Sequence, residues 1–576
     1  MADQDTKTAV AFPRPWLDHY PTGVNWDQGF EARPVHALLE DAAARIPDNP
    51  YLDFYGRIFT YGEVLGLVNR AARGFQALGV KKGVHVGLFL PNCPQFVISY
   101  FAILKAGGTV VNFSPLYSVP ELVHQVEDAE VDLMVTLDVS QLFPKIEEVM
   151  EKSRLRQLVV GNLADVLPFP RNVLYSAFRR RDRSRVRYNT AHIRFEQLLN
   201  NRGIVKPVAI NPREDVAVLQ YTGGTTGVPK GAMLTHANLY INACQTAAYD
   251  PDTRFGGDRM LGALPLFHVF AMTVVMNVST RIGAEVVLLP KFELEEAMRV
   301  ITKKAITLVP GVPTMYNAIL QHQRLEKYDL SSIRLSISGG APLPVELKRQ
   351  FETLTGAVLR EGYGLTEASA VVAVNPYYGV AKAGSVGLPV PGTSIVITDA
   401  EDPGRILPQG ETGEICVVGP QVMKGYWKRP EATAETIQHG RLRTGDIGYM
   451  DEEGYSFIVD RAKDLILVSG FNVYPRHIEE VIYEHPAVKE TTVIGIPDDY
   501  RGEVPKAFVV VKPGMTLKES DLRKFLKSRL GKIAIPAEIE FRDELPKTMI
   551  GKLSKKELAA EEKAKYEARK AARTMP

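Results

Sequence analysis

Between Thr222 and Gly231 the chain places four glycines, three threonines and one lysine within ten residues, directly after the apolar run VLQY. Glycines let backbone N–H groups close on oxygen, hydroxyls donate further bonds, and a lysine adds charge. Thr222, Gly223, Gly224, Thr225, Thr226 and Lys230 therefore suit a polyphosphate. The bland alternative is a flexible glycine turn. The loop is not a Walker A motif, because Lys230 is followed by Gly231 and not by the Ser or Thr that would hold Mg²⁺.

Such a loop needs a scaffold, and the flanking sequence supplies one. Short apolar runs (HVGLFL, TVVNF, DLMVTL, AEVVLL) alternate with longer helix-period segments such as PQFVISYFAILKAG and ELEEAMRVITKK. That alternation predicts parallel sheets covered by helices. From about residue 385 the pattern changes to short strands and Gly-rich turns (GTSIVITDA, GEICVVG, GYSFIVD), as in a small β subdomain. After Arg461 a helix (PRHIEEVIYEH), strands (TTVIGIP, KAFVVVK) and a further helix (SDLRKFLKSRL) form an α/β unit of their own. The expected class is α/β: a large domain over 1–459 with two parallel-type, helix-covered sheets and a small β-barrel-like subdomain at about 385–459. A hinge over 460–464 and a small mobile α+β domain over 465–576 follow.

Composition narrows the classes. A chain of 576 residues is too long for one ordinary core, and 45% hydrophobic with 24% charged residues is the profile of a folded globular protein. A net charge of +2, with no zinc-finger or RNP pattern, gives no reason to expect nucleic acid. Three distant cysteines exclude a disulfide framework and a CxxC site. The start MADQDTKTAV has no apolar h-region, and the longest uncharged run, Val86 to Leu104, is broken by Pro91, Asn92 and Pro94. A cytoplasmic protein is expected, with one qualification. In residues 166–187, VLPFPRNVLYSAFRRRDRSRVR, apolar groups precede a dense arginine run. This segment suits peripheral contact with the inner face of a membrane, and an ordinary solvated loop is the competing reading.

With the glycine loop, five further blocks stand in order: SISGGAPL at 336–343, EGYGLTE at 361–367, RTGDIG at 443–448, DRAKDLILVSGFNVYP at 460–475 and PKTMIGKL at 546–553. Together they resemble the adenylate-forming superfamily of acyl-CoA synthetases, nonribosomal adenylation domains and firefly-type luciferases. NFSPLYSVPELVHQVEDA, ALPLFHVFAMT and SGFNVYPRHIEEVI are most similar to fatty-acid:CoA ligases. The resemblance implies ATP, Mg²⁺ and coenzyme A, and a two-step reaction through an acyl adenylate.

It also implies roles. Tyr363 stacks on adenine, with Gly339, Gly340, Ala341 and Pro342 lining the slot and Glu361, Gly362 and Gly364 in the same nucleotide-binding block. Thr366 bonds the α-phosphate and Glu367 holds Mg²⁺, a hard cation that takes oxygen ligands. Asp446 accepts the ribose hydroxyls and Arg461 adds a ribose or phosphate contact. Lys552 carries adenylation, since an ammonium offsets the charge built up when a carboxylate attacks a phosphate. Alone, each of these is a packing tyrosine, a helix start, a turn or a solvated basic face, and only its place in the block singles it out. The small domain then rotates at Lys463, withdrawing Lys552 and bringing Gly470 and Phe471 to the pantetheine arm, while His268 moves aside.

Amino-acid-activating relatives begin the segment LPLFHVF with an Asp that is absent here. Phe270, Met272, Met276, Val312, Met315 and Tyr316 suit an alkyl chain of medium to long length. They would equally suit a core, so dicarboxylic and aryl acids stay open. The competing readings are an acyl-AMP ligase loading a carrier protein, a luciferase-like oxygenase and a nucleotide-binding sensor. A nonribosomal module fits less well, because the tail KKELAAEEKAKYEARKAARTMP is not a carrier domain. Lys552, expected to be exposed near the tail, is also a candidate for a protein lysine acetyltransferase.

Overall fold

The computed structural model describes residues 13–178, 182–222, 229–469, 471–498, 500–548 and 552–574. Gly223, Gly224, Thr225, Thr226 and Gly470 lie outside them, as do residues 179–181 of the arginine run.

Two sheets organise the large domain. One has seven strands in the order His192–Arg194, Gln157–Gly161, Leu133–Leu137, His85–Leu88, Thr109–Asn112, Val216–Thr222 and Lys230–Thr235. All its pairings are parallel except the last. The other has nine strands in the order Leu388–Pro389, Ala373–Val374, Val358–Tyr363, Leu335–Ser338, Leu308–Gly311, Arg259–Gly262, Glu285–Leu288, Pro50–Phe54 and Arg57–Thr60. Its six central strands run parallel, and antiparallel strands close both edges. Strands such as His85–Leu88 and Leu133–Leu137 are buried along their whole length, so they read as continuous apolar runs rather than alternating ones. The run Val86–Leu104 is a buried strand followed by the helix Pro94–Lys105, with proline in its first turn. No helix among the described residues is long and apolar enough to cross a membrane.

An antiparallel five-stranded sheet follows, built from Ser394–Thr398, Gly413–Val418, Ile437–Gln438, Arg441–Met450 and Ser456–Arg461. One apolar core runs from Trp16 to Tyr455, and two separate, smaller cores follow, one from Ile466 and one from Ile494. The second unit packs a five-stranded sheet against the helices Pro475–Tyr483, Glu519–Lys527 and Lys555–Thr574. Lys506, buried in its central strand, meets Glu538, Glu540 and Glu562 at 3.0, 2.9 and 3.0 Å. Because Glu562 belongs to the last helix, this cluster ties that helix to the sheet and anchors both ends of the turn that carries Lys552.

Candidate functional site

The motif residues of the large domain gather where parallel strands end. Thr222, Gly311, Gly339 and Tyr363 all terminate or follow such strands, and the carboxyl ends of parallel strands are where open α/β sheets bind ligands. The strands that flank the glycine loop pair antiparallel, with Thr222 directly opposite Lys230. A strand, not a helix, receives the chain after the loop. The Lys230 ammonium lies 5.3 Å from the centre of the Tyr426 ring, and the Tyr426 hydroxyl donates to Glu367 Oε1 at 2.7 Å. The sequence reading missed Tyr426, which links the lysine of one motif to the carboxylate of another. Its only sequence signal is an aromatic in the short polar stretch KGYWKRP.

Tyr363 donates its hydroxyl to Asp446 Oδ2 at 2.6 Å, and Arg461 Nε meets Asp446 Oδ1 at 3.0 Å. Asp446 and Arg461 are cross-strand partners, so the β subdomain fixes this contact by register. Asp446 is buried, yet a carboxylate has about four lone-pair positions, which leaves capacity for further donors. Gly340 and Pro342 are exposed and Ala341 is half-buried, whereas Gly339 is covered: a Cβ on it would lie 3.0 Å from the Phe270 ring.

The turn holding Thr366 and Glu367 is strained at its exit. Ser369 and Ala370 both have positive φ, +59° and +114°, a conformation that costs L-residues about 1–3 kcal/mol each. Neutral buried groups hold it in place. Thr273 Oγ1 donates to Ser369 O, Ser369 Oγ donates to Gln421 O, and the Asn242 amide pairs with both the N–H and the C=O of Val371. The turn folds back onto Gly364, where a Cβ would sit 1.4 Å from Ala370 O. The second glycine of EGYGLTE is thus required by the backbone. Asn242, Gln421 and Thr273 were not foreseen, since each lies far along the chain from the turn.

His268 follows a loop tied by Asn92, whose amide bonds Gly262 O, Leu264 O and Leu266 N. Its Nδ1 accepts the Phe270 N–H at 3.3 Å, which leaves the neutral ring's proton on Nε2. Burial, then the nearby Lys552 charge, pushes His268 down to about 4. The ring is neutral at physiological pH and cannot serve as an acid there. After it comes a π-helix, Ala271–Asn277.

Lys552 is brought to the same place from the small domain. Contrary to the expectation of an exposed side chain, it is half-buried, and burial followed by the Arg461 charge pushes it down to about 8. The turn is pinned by the Lys552 N–H on Thr548 Oγ1 (3.1 Å) and by the Thr548 N–H on Lys552 O (2.6 Å). Lys463 is exposed on the short helix Ala462–Asp464, and Phe471 begins a strand paired with Ile466–Val468. Glu361, expected within the nucleotide-binding block, is buried and faces Arg476 of the small domain at 4.0 Å.

No cluster of three or more His, Cys, Asp or Glu capable of holding a metal occurs among the described residues. Glu367 nevertheless fits Mg²⁺, which binds through one or two carboxylates plus phosphate oxygens and water.

The residues expected to bind a medium to long alkyl chain divide. Tyr316 spends its hydroxyl between Val309 O and Ile337 O, and Met272 faces Asn112 of the other sheet. A mostly apolar cavity of about 40 Å³ instead lies between Val274, Val278 and Ile282 on the helix side and Val309, Leu335 and Ile337 on the sheet.

Residues 39–427 match the AMP-binding enzyme family, and residues 477–552 match the AMP-binding enzyme C-terminal domain. The chain belongs to the AMP-binding enzyme family. Within this family it is 44% identical over 560 residues to a long-chain-fatty-acid–CoA ligase of Bacillus subtilis, covering 95% of this chain and 98% of that one. It is 40% identical over 566 residues to a long-chain-fatty-acid–CoA ligase of Escherichia coli, covering 96% and 99%. Among solved structures, ATP-bound MatB from Rhodopseudomonas palustris is similar, with a TM-score of 0.80 and 31% identity over 93% of this chain and 100% of that one.

Proposed function

We propose that the chain is an AMP-forming fatty-acid:CoA ligase acting on long chains. The observation that carries this reading is the likeness, over nearly the full chain, to two long-chain-fatty-acid–CoA ligases. Leu335 and Ile337 line the apolar cavity, which at about 40 Å³ holds little more than a water or two, so an alkyl chain would enter there only as the lining side chains part.

In the first step a carboxylate oxygen attacks the α-phosphorus of ATP and pyrophosphate leaves. Thr366 donates to the α-phosphate, Lys552 offsets the charge that builds on it, and Asp446 with Arg461 holds the ribose. Glu367 would hold Mg²⁺, which when bound neutralises phosphate charge. Rotation about 460–464 then withdraws Lys552 and presents the hairpin of Ile466–Val468 and Phe471–Val473. The coenzyme A thiol loses its proton and attacks the acyl carbon, a C–S bond replaces the C–O bond to phosphate, and AMP leaves. No protein nucleophile is required. Filling the cavity with Val278→Trp should abolish turnover of C16 and C18 acids while sparing C6 to C8. Equal loss across the series would remove the cavity from the acyl path.

A second reading concerns location. Phe169 is 82% exposed, Val173, Leu174, Tyr55 and Ile58 are exposed nearby, and Arg171 ties the two segments by donating to Tyr55 O at 2.7 Å. Arg183 is engaged with Asp138, but Arg185 and Arg187 are exposed. Apolar side chains beside exposed arginines suit an anionic bilayer. Phe169→Asp with Leu174→Asp should reduce pelleting with phosphatidylglycerol vesicles, and unchanged pelleting would sink the idea.

A further inference from the structure

Glu361 lies near the end of the strand Val358–Tyr363, within the nucleotide block, and is 8% exposed. Besides the Leu343 N–H, which bonds it, the charged groups facing it are Arg476, Lys348 and the opposing Glu480. Of the two cations Arg476 acts more strongly, and it belongs to the other domain. Its Nη2 is 4.0 Å from Glu361 Oε1, its Nε is 3.1 Å from Glu480 Oε1, and its backbone N–H donates to Asp460 Oδ2 at 2.9 Å, at the hinge. Arg476 is 7% exposed. A buried carboxylate and a buried guanidinium thus meet across the domain boundary in the same orientation that places Lys552 beside Arg461 and Asp446.

We propose that Arg476 is a positioning residue for the adenylation step, latching the small domain onto the buried Glu361 and so holding Lys552 at the reacting phosphate. Removing one member of a buried charge pair strands the other, so this pair favours the orientation in which it is made and must be broken for the second step. Burial pushes the Glu361 carboxyl up and the Arg476 charge acts against that, so the carboxylate is favoured where the guanidinium faces it. The proposal rests on the reading of Lys552 given above.

The test separates the half-reactions: acid-dependent ATP–pyrophosphate exchange for adenylation, and thioester formation from synthetic acyl-adenylate plus coenzyme A. Arg476→Gln should lower exchange on the order of tenfold and leave thioester formation undiminished. Glu361→Gln should lower exchange comparably, the double variant should be no worse than either single one, and Arg476→Lys should fall in between. Unchanged exchange, additive losses or equal loss in both half-reactions would overturn the latch. Lys552→Ala gives the separation: loss of its exchange with a normal Arg476→Gln sinks only the latch, whereas normal exchange in Lys552→Ala removes the ground for both.

Discussion

The two halves of the site are held by different kinds of force. In the large domain, the turn bearing Thr366 and Glu367 is fixed by neutral buried groups, Asn242, Gln421 and Thr273, each bonded to backbone. In the small domain, Lys552 hangs on a short turn whose support is charged: Lys506 among three glutamates, and Arg476 against Glu361. Neutral hydrogen bonds deep in a core cost much to break and have no wet alternative. Of the two charged supports, Arg476 against Glu361 crosses the domain boundary and can be exchanged for water when the domains part, whereas the Lys506 cluster lies within the small domain and moves with it.

Removing the reacting charge gives the largest contrast. Lys552→Ala should cost about 10² to 10³ in adenylation and leave thioester formation from acyl-adenylate intact, as measured by the two half-reaction assays. Acetylation of Lys552 should produce the same split, and normal adenylate formation by the acetylated protein would refute it. The fixed half should respond differently. Asn242→Leu strands the N–H and C=O of Val371, at about 1–3 kcal/mol per buried group, so a melting curve should shift down and both half-reactions should fall together. A selective loss of one would place Asn242 with the moving half. The smallest effect is pH-dependent. With Lys552 pushed down to about 8, its charge is present below that value and lost above it. The adenylation kcat/KM for ATP should therefore fall about tenfold from pH 7 to pH 9, while thioester formation shows no limb from this group. Lys552→Arg should remove the limb, since a guanidinium stays charged.

The alternation of buried apolar runs with helices was legible as parallel sheets because full burial removes the period-two pattern. The antiparallel pairing of the strands that flank the glycine loop was not, since glycine-rich segments look alike whether a strand or a helix follows. Asn242 and Val371 stand 129 positions apart, and nothing local to either announces the bond. Glu361 and Arg476 each read as an ordinary charged residue in its own motif. Nor was the local winding legible around Met272 and Met276, two of the residues expected along the alkyl chain: the stretch Ala271–Asn277 winds as a π-helix, so α-periodicity does not tell which face each side chain takes.

That winding also bears on how such a scaffold diversifies. A π-helical turn holds more residues than an α-helical one, so one codon lost there would let the stretch rewind as an ordinary helix. The widened turn absorbs its extra residue, so losing it would leave the side chains beyond facing nearly as before and re-aim only those within the turn itself. Pocket shape can change in one insertion or deletion instead of through serial replacement. Transferring pocket residues between relatives that differ in length across this stretch would therefore pair the wrong positions.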